Sequence, residues 1–388
     1  MDYYKASVEK HKKYGGKISV QPKFPVVTKH DLSIAYSPGV AQPCREIADN
    51  PDLVWDLTIK QNTVAVVSDG SAVLGLGNIG AKAAIPVMEG KALLFKKFAG
   101  IDAFPICLNT QDPDEIVNIV KNIAPVFGGI NLEDIAAPKC FDVEAKLQDL
   151  GIPVFHDDQH GTAIVLLAAL INACKVTGKN LQDLKIVVNG AGAAGVAITR
   201  MLRCINFEPD VCVPVKDIIV CDTKGAIHRD RENLTWIKKE LLNYTNRENA
   251  KGSVHDVIEG ADVFIGVSVG DLLTANDIRR MAKDAIIFPM ANPTPEIMPD
   301  EAFKGGAAIV GTGRSDFPNQ VNNVLAFPGI FRGALNIRAA SITPKMKLAA
   351  AYALANCVKV PRADKVIPYA LDMNVVSKVS EAVQSVEA

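Results

Sequence analysis

Short apolar runs alternate with longer helical stretches over much of this chain, and the alternation is the first guide to its fold. Four runs of strand length lie in the first half of the sequence, at residues 64–68, 101–108, 127–135 and 152–155. The stretches 81–98 and 113–126 between them are rich in helix-forming residues. Strands that alternate with helices form a parallel sheet covered on both faces. We therefore predict an α/β domain over residues 1–160, in which residues 1–60 are helices and loops.

The second half of the chain repeats the alternation around one distinctive turn. An apolar strand at 185–188 runs directly into Gly190-Ala191-Gly192-Ala193-Ala194-Gly195, and a helix is predicted at 196–202. Further apolar runs of strand length follow at 217–221, 263–267, 285–290 and 307–310, and helices are expected after Lys345. This order predicts a second domain over residues 161–388 with a Rossmann-type dinucleotide-binding fold. The whole chain is thus predicted to be an α/β protein with two domains.

The glycines of this turn have separate roles in binding a dinucleotide. Gly190 permits the tight turn, Gly192 lets the backbone approach the pyrophosphate, and Gly195 allows close packing of the helix on the strand. All six residues from Gly190 to Gly195 are therefore candidate cofactor contacts. Asp222, at the end of the next strand, is placed to accept from the adenosine ribose, which favours NAD. Three cations that follow it are able instead to hold a 2′-phosphate, so NADP stays open: Lys224, Arg229 and Arg231.

A second glycine-rich match, Gly75-Leu76-Gly77-Asn78-Ile79-Gly80, stands several residues after its strand. It therefore lacks the direct passage from strand through turn to helix that a pyrophosphate site requires. A loop that lines the substrate side of the cleft and a plain structural turn are equally good interpretations of it.

Two pairs of adjacent carboxylates follow neighbouring strands of the first domain. Glu133-Asp134 closes the third apolar run, and Asp157-Asp158 closes the fourth. In parallel sheets ligands collect at the carboxyl ends of strands, where four carboxylates would repel one another without a cation. Oxygen ligands favour Mg²⁺ or Mn²⁺; zinc is disfavoured despite His156 and His160, because carboxylates outnumber imidazoles and no cysteine is close in sequence. For either pair taken alone, a solvated helix N-cap is the simpler explanation.

Four further side chains are candidates for chemistry or substrate binding, and each has an ordinary structural alternative. Lys91 precedes an apolar run, so we expect partial desolvation to depress its pKa toward that of a useful base, although most lysines are simply solvated. Tyr36 lies beside a Ser-Pro-Gly turn, where packing alone would account for it. Asn292 and Asn323 lie on strand-end loops and are able to donate to a substrate carboxylate or to the nicotinamide, but asparagine is also a common loop residue.

The composition is that of an ordinary globular protein and argues against two classes of partner. A formal net charge of −1 gives no electrostatic case for nucleic-acid binding. The longest apolar run, Ala163–Ile171, is shorter than the roughly 20 residues of a bilayer span, and the N-terminus has no signal-peptide pattern. The eight cysteines include no C-x-x-C pair, so we expect buried free thiols in a reducing compartment. We therefore predict a cytoplasmic protein that binds neither nucleic acid nor membrane.

Taken together, the motifs resemble those of the malic enzymes, in particular the short bacterial-type form without a fused acyltransferase domain. The resemblance covers nearly the whole chain and rests on short motifs at 35–40, 68–70, 74–77, 91, 131–134, 156–162, 190–195, 291–294, 322–323 and 327–329. Each motif is short, but their joint order is highly specific. The resemblance implies a metal-dependent oxidative decarboxylation of malate to pyruvate and CO₂, with NAD or NADP as the oxidant.

The resemblance also implies a role for each candidate residue. Glu133, Asp134 and Asp158 match the ligands of Mn²⁺ or Mg²⁺. Lys91 matches the general base, Asp157 the residue that orients it, and Tyr36 the general acid. Asn292 and Asn323 match substrate-binding positions. The family also leads us to expect a homodimer. We expect the N-terminal segment that carries Tyr36 to contribute to its interface.

One position departs from the family pattern. Larger members place an arginine after the Asp-Gly pair to bind a substrate carboxylate, whereas here Asp69-Gly70 is followed by Ser71. The carboxylate must then be bound by backbone amides of the 71–77 loop or by the two asparagines.

Two other functions remain open on the residues alone. A metal-free amino-acid or hydroxy-acid dehydrogenase would have the same two-domain plan, but it leaves the acidic pairs without a role. A nucleotide-binding redox sensor without turnover would leave Lys91 and Tyr36 unexplained.

Overall fold

Residues 2–73, 75–208 and 211–386 are described by a computed structural model of the chain; Leu74, part of the glycine-rich motif at 74–77, lies outside them. The first four α-helices are α1 (Tyr3–Tyr14), α2 (Lys29–Ala35), α3 (Ala41–Asp49) and α4 (Val54–Leu57). None of them contains a buried residue. Local capping supports them, since Asp2 accepts from two amides of α1, and Thr28 and Asp31 form a reciprocal capping box on α2. These helices therefore lie on the surface of the chain.

Four parallel strands form the N-terminal sheet in the order β2-β1-β3-β4. They are β1 (Thr63–Ser68), β2 (Asp102–Cys107), β3 (Gly129–Leu132) and β4 (Val154–His156), and the helices among them are α5 (Gly80–Ala99), α6 (Pro113–Ile123) and α7 (Lys139–Ala145). All six residues of β1 are buried. Because successive side chains point to opposite faces of a strand, both faces of the sheet are covered. The predicted α/β fold is confirmed here.

Helix α8 (Asp157–Thr177) begins immediately after β4 and leads toward the second sheet. Every residue from Ala163 to Leu170 is buried. In the described part of the chain it is the one helix long and apolar enough to cross a membrane, and 67% of its apolar window is buried inside the protein. It is therefore a core helix whose first turn carries Asp157 and Asp158. The cytoplasmic location stays a prediction.

The second sheet has six strands in the order β10-β9-β8-β5-β6-β7, and only the pairing of β6 with β7 is antiparallel. The strands are β5 (Lys185–Asn189), β6 (Asp217–Asp222), β7 (Gly225–Ala226), β8 (Val263–Gly266), β9 (Ile286–Pro289) and β10 (Ile309–Val310). The helices among them are α9 (Ala193–Leu202), α10 (Trp236–Leu241), α11 (Val254–Val257), α12 (Ala275–Arg279) and α13 (Pro299–Lys304). The five predicted strands are confirmed, whereas β7 is too short to leave a pattern. Strand β5 lies between β6 and β8, so the strand order reverses at its end.

The last three helices are α14 (Phe327–Asn336), α15 (Pro344–Asn356) and α16 (Met373–Gln384). Helix α14 packs back on α5 of the first domain, because the rings of Phe327 and Phe331 lie 4.7 and 5.3 Å from that of Phe95. One apolar cluster extends from Val64 in β1 to Val383 in α16. The two halves of the chain therefore share a core, and the boundary at residue 160 stays a prediction.

The expectation that all cysteines are free thiols is wrong at two positions. Cys204 and Cys212 form a disulfide, with their Cα atoms 5.8 Å apart. Cys204 follows α9 with a positive φ of 55°, and the chain folds back there after the helix. This turn brings together two residues whose sequence spacing carries no recognisable disulfide signal. The other six cysteines are free thiols, but the expected burial holds only for Cys140, Cys174 and Cys221, since Cys107 and Cys357 are half-buried and Cys44 is exposed.

The shared core predicts a large loss of stability on truncation of Phe331. Its fully buried ring contacts Phe95 and Phe155, with centroids 5.3 and 5.9 Å away. We expect Phe331→Ala to lower the free energy of unfolding by about 3–5 kcal/mol, measured by urea denaturation. Phe303→Ala, which removes an exposed ring on α13, is the matched control. A loss below about 1 kcal/mol at Phe331 would contradict the shared core.

Candidate active site

The two acidic pairs lie side by side because β3 and β4 are parallel neighbours. Leu132 pairs with His156 at the last position of the ladder. Glu133 and Asp134 leave the end of β3, and Asp157 and Asp158 form the first turn of α8 after β4. Parallel strands that end in register bring the residues after them to one edge of the sheet. The grouping of these carboxylates is therefore a direct consequence of the sheet topology.

Three of these carboxylates converge on one point. Glu133, Asp134 and Asp158 each offer an oxygen, and the three oxygens lie within 4.8 Å of one another. The amide of Asp134 also donates to Asp158 Oδ2 over 2.8 Å, which fixes one strand end to the other. Asp134 has a positive φ of 53°, an uncommon conformation for a residue other than glycine. An all-oxygen group of this size fits Mg²⁺ or Mn²⁺.

The electrostatics of the trio also fit a cation. Burial raises the pKa of Glu133; Lys91 opposes that shift and Asp158 adds to it. Burial likewise raises the pKa of Asp158. Glu133 and Asp134 are buried and Asp158 is partly exposed, and carboxylates this close together are costly to keep ionised. A dication placed among them would remove that cost.

Neither neighbouring histidine contributes to this trio. His160 Nε2 lies 2.9 Å from Glu144 Oε1 on α7, so its ring is paired elsewhere. His156 is fully buried, and its Nδ1 lies 3.8 Å from Asp158 Oδ2. Among the described residues the group with metal-ligand geometry consists of carboxylates alone. The donor set therefore disfavours zinc.

Lys91, on α5, lies against the same edge. Its Nζ is 2.5 Å from Asp157 Oδ2 and 2.9 Å from Glu133 Oε1, and the face of the Phe327 ring lies 4.2 Å away. Burial by itself lowers the pKa of Lys91, but the carboxylates of Asp157 and Glu133 outweigh it and the pKa is raised. The expectation of a depressed pKa is therefore wrong for this arrangement, because the sequence does not reveal the two partners.

The loop after β1 is bonded to the loop after β3. Asp69 is buried; it pairs with Lys139 and accepts from the Ser71 hydroxyl over 2.6 Å. The Ser71 hydroxyl oxygen in turn accepts from the amide of Ala136 over 2.9 Å. Ser71, at the position where larger family members are expected to place an arginine, thus supports the loop that carries Glu133 and Asp134.

The amides of the 71–77 loop are largely used within the protein. Each of the following backbone amides donates to an internal acceptor: Ser71, Ala72, Val73, Leu76 and Gly77. Of the two alternatives for binding a substrate carboxylate, these contacts favour the asparagines. Asn292 Nδ2 donates to the Met290 carbonyl over 3.2 Å and keeps its second N–H for a ligand.

The two asparagines approach the site from the second domain. Asn323 lies beside the first turn of α8. A Cβ atom added to Gly161 would come 3.2 Å from the Cβ of Asn323 and 1.9 Å from Asp157 Oδ1. The Asn292 carbonyl lies 2.4 Å from the Cβ position of Gly75, so this loop touches the glycine-rich loop of the first domain. Gly161 and Gly75 are needed here because any side chain would collide. The second glycine-rich match is therefore a loop at the junction of the domains.

Tyr36 is exposed, and no hydrogen bond joins its side chain to this cluster among the described residues of one chain. It follows α2, its side chain is 70% exposed, and its hydroxyl has no hydrogen-bond partner among residues 2–73, 75–208 and 211–386. Lys91, Glu133 and Asp157 are all buried. A role for Tyr36 in the same reaction therefore requires a movement of the N-terminal segment or a second copy of the chain.

The glycine turn has the geometry that dinucleotide binding requires. A Cβ on Gly195 would come 1.7 Å from the carbonyl oxygen of Gly190, and one on Gly190 would come 2.7 Å from that of Val267. A Cβ on Gly192 would have no atom within 4 Å, so the turn faces open space at that residue. Helix α9 begins at Ala193, so its N-terminal amides face the same space. The arrangement fits a pyrophosphate bound at the turn.

Two sequence models of one family cover most of the chain: the malic enzyme N-terminal domain matches residues 15–148, and the malic enzyme NAD-binding domain matches residues 159–386. The bifunctional malic/malolactic enzyme of Bacillus subtilis is 56% identical over 377 residues, which are 96% of this chain and 90% of that protein. The chain belongs to the malic enzyme family.

Two further malic enzymes support the assignment. The NAD-dependent malic enzyme of Geobacillus stearothermophilus is 56% identical over 374 residues, which are 95% of this chain and 76% of that protein. The crystal structure of an NAD-dependent malic enzyme from Thermotoga maritima has a TM-score of 0.92 and 48% identity, and it covers 97% of this chain and 98% of that chain. The predicted resemblance and the predicted α/β fold are both confirmed.

Sequence reasoning missed several contacts of this malic enzyme site. Phe327 lies over the Lys91 ammonium, Lys139 pairs with Asp69, and Asn131 donates to Glu133 Oε2 over 2.9 Å. Asn131 lies within a motif already singled out, two residues before a predicted ligand. Phe327 also lies within a motif already singled out, at 327–329, whereas Lys139 carries no comparable signal because its partner Asp69 is distant in the sequence.

The acidic trio predicts that Mn²⁺ binds without malate or nucleotide. We expect Asp158→Asn to weaken Mn²⁺ binding at least about tenfold in isothermal titration calorimetry, because it removes one of three anionic ligands. Asp149→Asn, which changes an exposed carboxylate outside the trio, should leave the affinity unchanged. Equal Mn²⁺ affinities for wild type and Asp158→Asn would contradict the site.

Proposed function

We propose that this protein catalyses the divalent-metal-dependent oxidative decarboxylation of L-malate to pyruvate and CO₂, with reduction of NAD or NADP. The observation that carries the proposal is the convergence of Glu133, Asp134 and Asp158 beside the buried ion pair of Lys91 with Asp157. A metal-free dehydrogenase would have no use for that trio. A redox sensor without turnover would have no use for a buried lysine held between Asp157 and Glu133.

Glu133, Asp134 and Asp158 would hold the Mn²⁺ or Mg²⁺ ion, and the glycine turn at 190–195 would hold the dinucleotide. The ion would supply polarisation of the C2 oxygen of the substrate, and the nicotinamide would supply an acceptor for the C2 hydride. Glu133 is oriented for this role, since Asn131 donates to Oε2 and Lys91 pairs with Oε1.

Lys91 moves the proton of the C2 hydroxyl. Its Nζ lies 2.5 Å from Asp157 Oδ2, so one proton is able to pass between the two groups. With that proton on Asp157, the free amine takes the hydroxyl proton as the C2 hydride leaves, and oxaloacetate results. Asp157 orients the amine, and its position on the first turn of the rigid helix α8 keeps that direction fixed.

Decarboxylation then needs a proton donor at C3. The C3–C4 bond breaks, CO₂ leaves, and the electron pair passes into the enolate of pyruvate. Tyr36 is our candidate for the acid that protonates C3. Asn292 and Asn323 are our candidates for binding the substrate carboxylates, because the neighbouring loop amides are already bonded internally.

Replacement of Lys91, the proposed base, tests the proposed reaction directly. We expect Lys91→Met to lower malate-dependent formation of reduced nicotinamide by about 10²–10⁴-fold, with Mn²⁺ present, because the hydroxyl proton has no acceptor. NADH binding, measured by its fluorescence, should persist. Lys96→Met, which changes an exposed lysine on the same helix, is the control. A rate within about threefold of wild type would refute the role of Lys91.

We also propose that the protein acts as a homodimer joined through its N-terminal segment. Helices α1 to α4 contain no buried residue, yet the segment exposes several large apolar side chains, among them Tyr4, Phe24, Val27, Leu32 and Ile34. Many exposed large apolar side chains within one short segment are typical of an interface. Tyr36 lies within it, so assembly would place this residue in a protein environment.

The interface is tested by removing its apolar side chains. We expect the triple variant Val27→Ser, Leu32→Ser and Ile34→Ser to elute as a monomer in size-exclusion chromatography with light scattering, where wild type elutes as a dimer. Val360→Ser, which changes an exposed apolar residue far along the chain, should remain dimeric. A triple variant that stays dimeric would contradict the proposed interface.

A further inference from the structure

Glu296 is fully buried, and its carboxylate is held by main-chain amides instead of a cation. Oε1 accepts from the Ser268 amide over 2.9 Å, and Oε2 accepts from the Ala291 amide over 3.0 Å. In the described part of the chain no lysine, arginine or histidine forms an ion pair with it. Burial raises the pKa of Glu296, and the two amides oppose that shift. A buried carboxylate without a cation is costly, so an apolar residue would suit this position better if packing were its only role.

The first of the two amides belongs to the loop that follows β8 and backs the glycine turn. Ser268 comes directly after Val267, whose carbonyl oxygen would lie 2.7 Å from a Cβ on Gly190. The Ser268 hydroxyl oxygen also accepts from Asn189 Nδ2 over 2.6 Å, and Asn189 is the last residue of β5 before that turn. The loop at 267–268 is thus fixed against the candidate cofactor site on two sides.

The second amide belongs to the loop that follows β9 and carries a candidate substrate ligand. Ala291 immediately precedes Asn292, whose carbonyl lies 2.4 Å from the Cβ position of Gly75 in the first domain. The bond from the Ala291 amide to Glu296 therefore holds the chain one residue before Asn292. Through its two oxygens, the Glu296 carboxylate joins the loop behind the cofactor turn to the loop that carries Asn292.

Main-chain bonds join the same two loops farther along. The carbonyl oxygen of Glu296 accepts from the amides of Leu272 and Leu273 over 2.7 and 2.8 Å. The Asp271 amide donates to the Pro295 carbonyl over 2.9 Å. These bonds leave the two residues nearest the sites, Ser268 and Ala291, to be held by the side chain alone. The two loops therefore form one unit whose ligand-facing end depends on the Glu296 carboxylate.

We propose that Glu296 is a positioning residue for the substrate, because its carboxylate holds the Asn292 loop in a fixed place relative to the loop that backs the cofactor turn. The inference rests on the proposed malate reaction, in which Asn292 binds a substrate carboxylate. A loop that is ordered before the ligand arrives does not have to be ordered on binding, so its pre-organisation adds to affinity. An apolar residue at position 296 would leave both amides buried without an acceptor.

Glu296→Gln is the first test, because glutamine has nearly the same shape but only one acceptor oxygen. One of the two amides then loses its bond, and we expect the KM for malate to rise about tenfold while kcat falls less than about threefold. A side chain that only stabilises the fold would lower the free energy of unfolding without that rise in KM. Glu259→Gln, which changes an exposed carboxylate of the same domain, is the matched control and should leave KM unchanged.

Gly266→Ala is a second test that keeps the charge of Glu296. A Cβ on Gly266, the last residue of β8, would come 2.2 Å from Glu296 Cδ and would displace the carboxylate from both amides. We expect the KM for malate to rise as in Glu296→Gln. In the double variant the two rises should not multiply, because both substitutions break the same contact. Glu296→Gln decides alone if Gly266→Ala does not fold.

Hydrogen exchange of the full chain without ligands tests the contact independently of turnover. In Glu296→Gln we expect amides of the segments 267–273 or 290–296 to exchange at least about tenfold faster than in wild type. Unchanged exchange in both segments, an unchanged KM for malate, or a loss of kcat without a rise in KM would overturn the positioning role. If wild type does not reduce NAD or NADP with malate, the proposed reaction fails, and the exchange result alone then decides whether Glu296 holds the two loops together.

Discussion

The active site depends on a balance of charge between one buried ammonium and the carboxylates at two adjacent strand ends. Lys91 pairs with Asp157 and Glu133, yet Asp134 and Asp158 lie at the same edge and add further negative charge. Burial of ions costs several kcal/mol each unless they are paired. The lysine offsets part of this cost, and a dication bound among the trio would offset the rest. The same excess of negative charge would attract a cation, and the all-oxygen donor set fits a hard one.

The rest of the fold keeps these charges in place. The parallel register of β3 and β4 aligns the two acidic pairs, and the Asp69–Ser71 segment after β1 bonds to the loop that carries Asp134. Phe327 of α14 covers the Lys91 ammonium and packs on Phe95 of the same helix as Lys91. The site is therefore assembled from both halves of the chain, and the core that they share sets the position of Lys91.

Much of the fold could be predicted from the sequence, because its signals are local. The strands have short apolar runs, and the glycine turn stands directly between a strand and a helix. Glu133 and Asp157 could be grouped because both follow strands, and parallel strands end at one edge. Helix α14 was not predicted although its apolar residues recur at helical spacing, because Pro328, Gly329 and Gly333 interrupt that pattern; strand β7 was not predicted because it has two residues.

What could not be predicted depends on contacts between residues that are distant in sequence. The raised pKa of Lys91 comes from Asp157 and Glu133, and the sequence around residue 91 does not indicate these partners. The sequence predicts that Asp222 accepts from ribose, whereas in the structure its carboxylate pairs with Lys238 on a later helix. Tyr36 has its place in a motif, but its exposed side chain lies apart from the cluster within one chain.

The measurement that tests this account most directly is the position of Mn²⁺ in a crystal, located by its anomalous scattering. The account predicts one strong peak about 2 Å from an oxygen of each of Glu133, Asp134 and Asp158, with Lys91 Nζ nearby but not coordinated. A peak that lies at other residues, or no peak at this strand edge at saturating Mn²⁺, would contradict it.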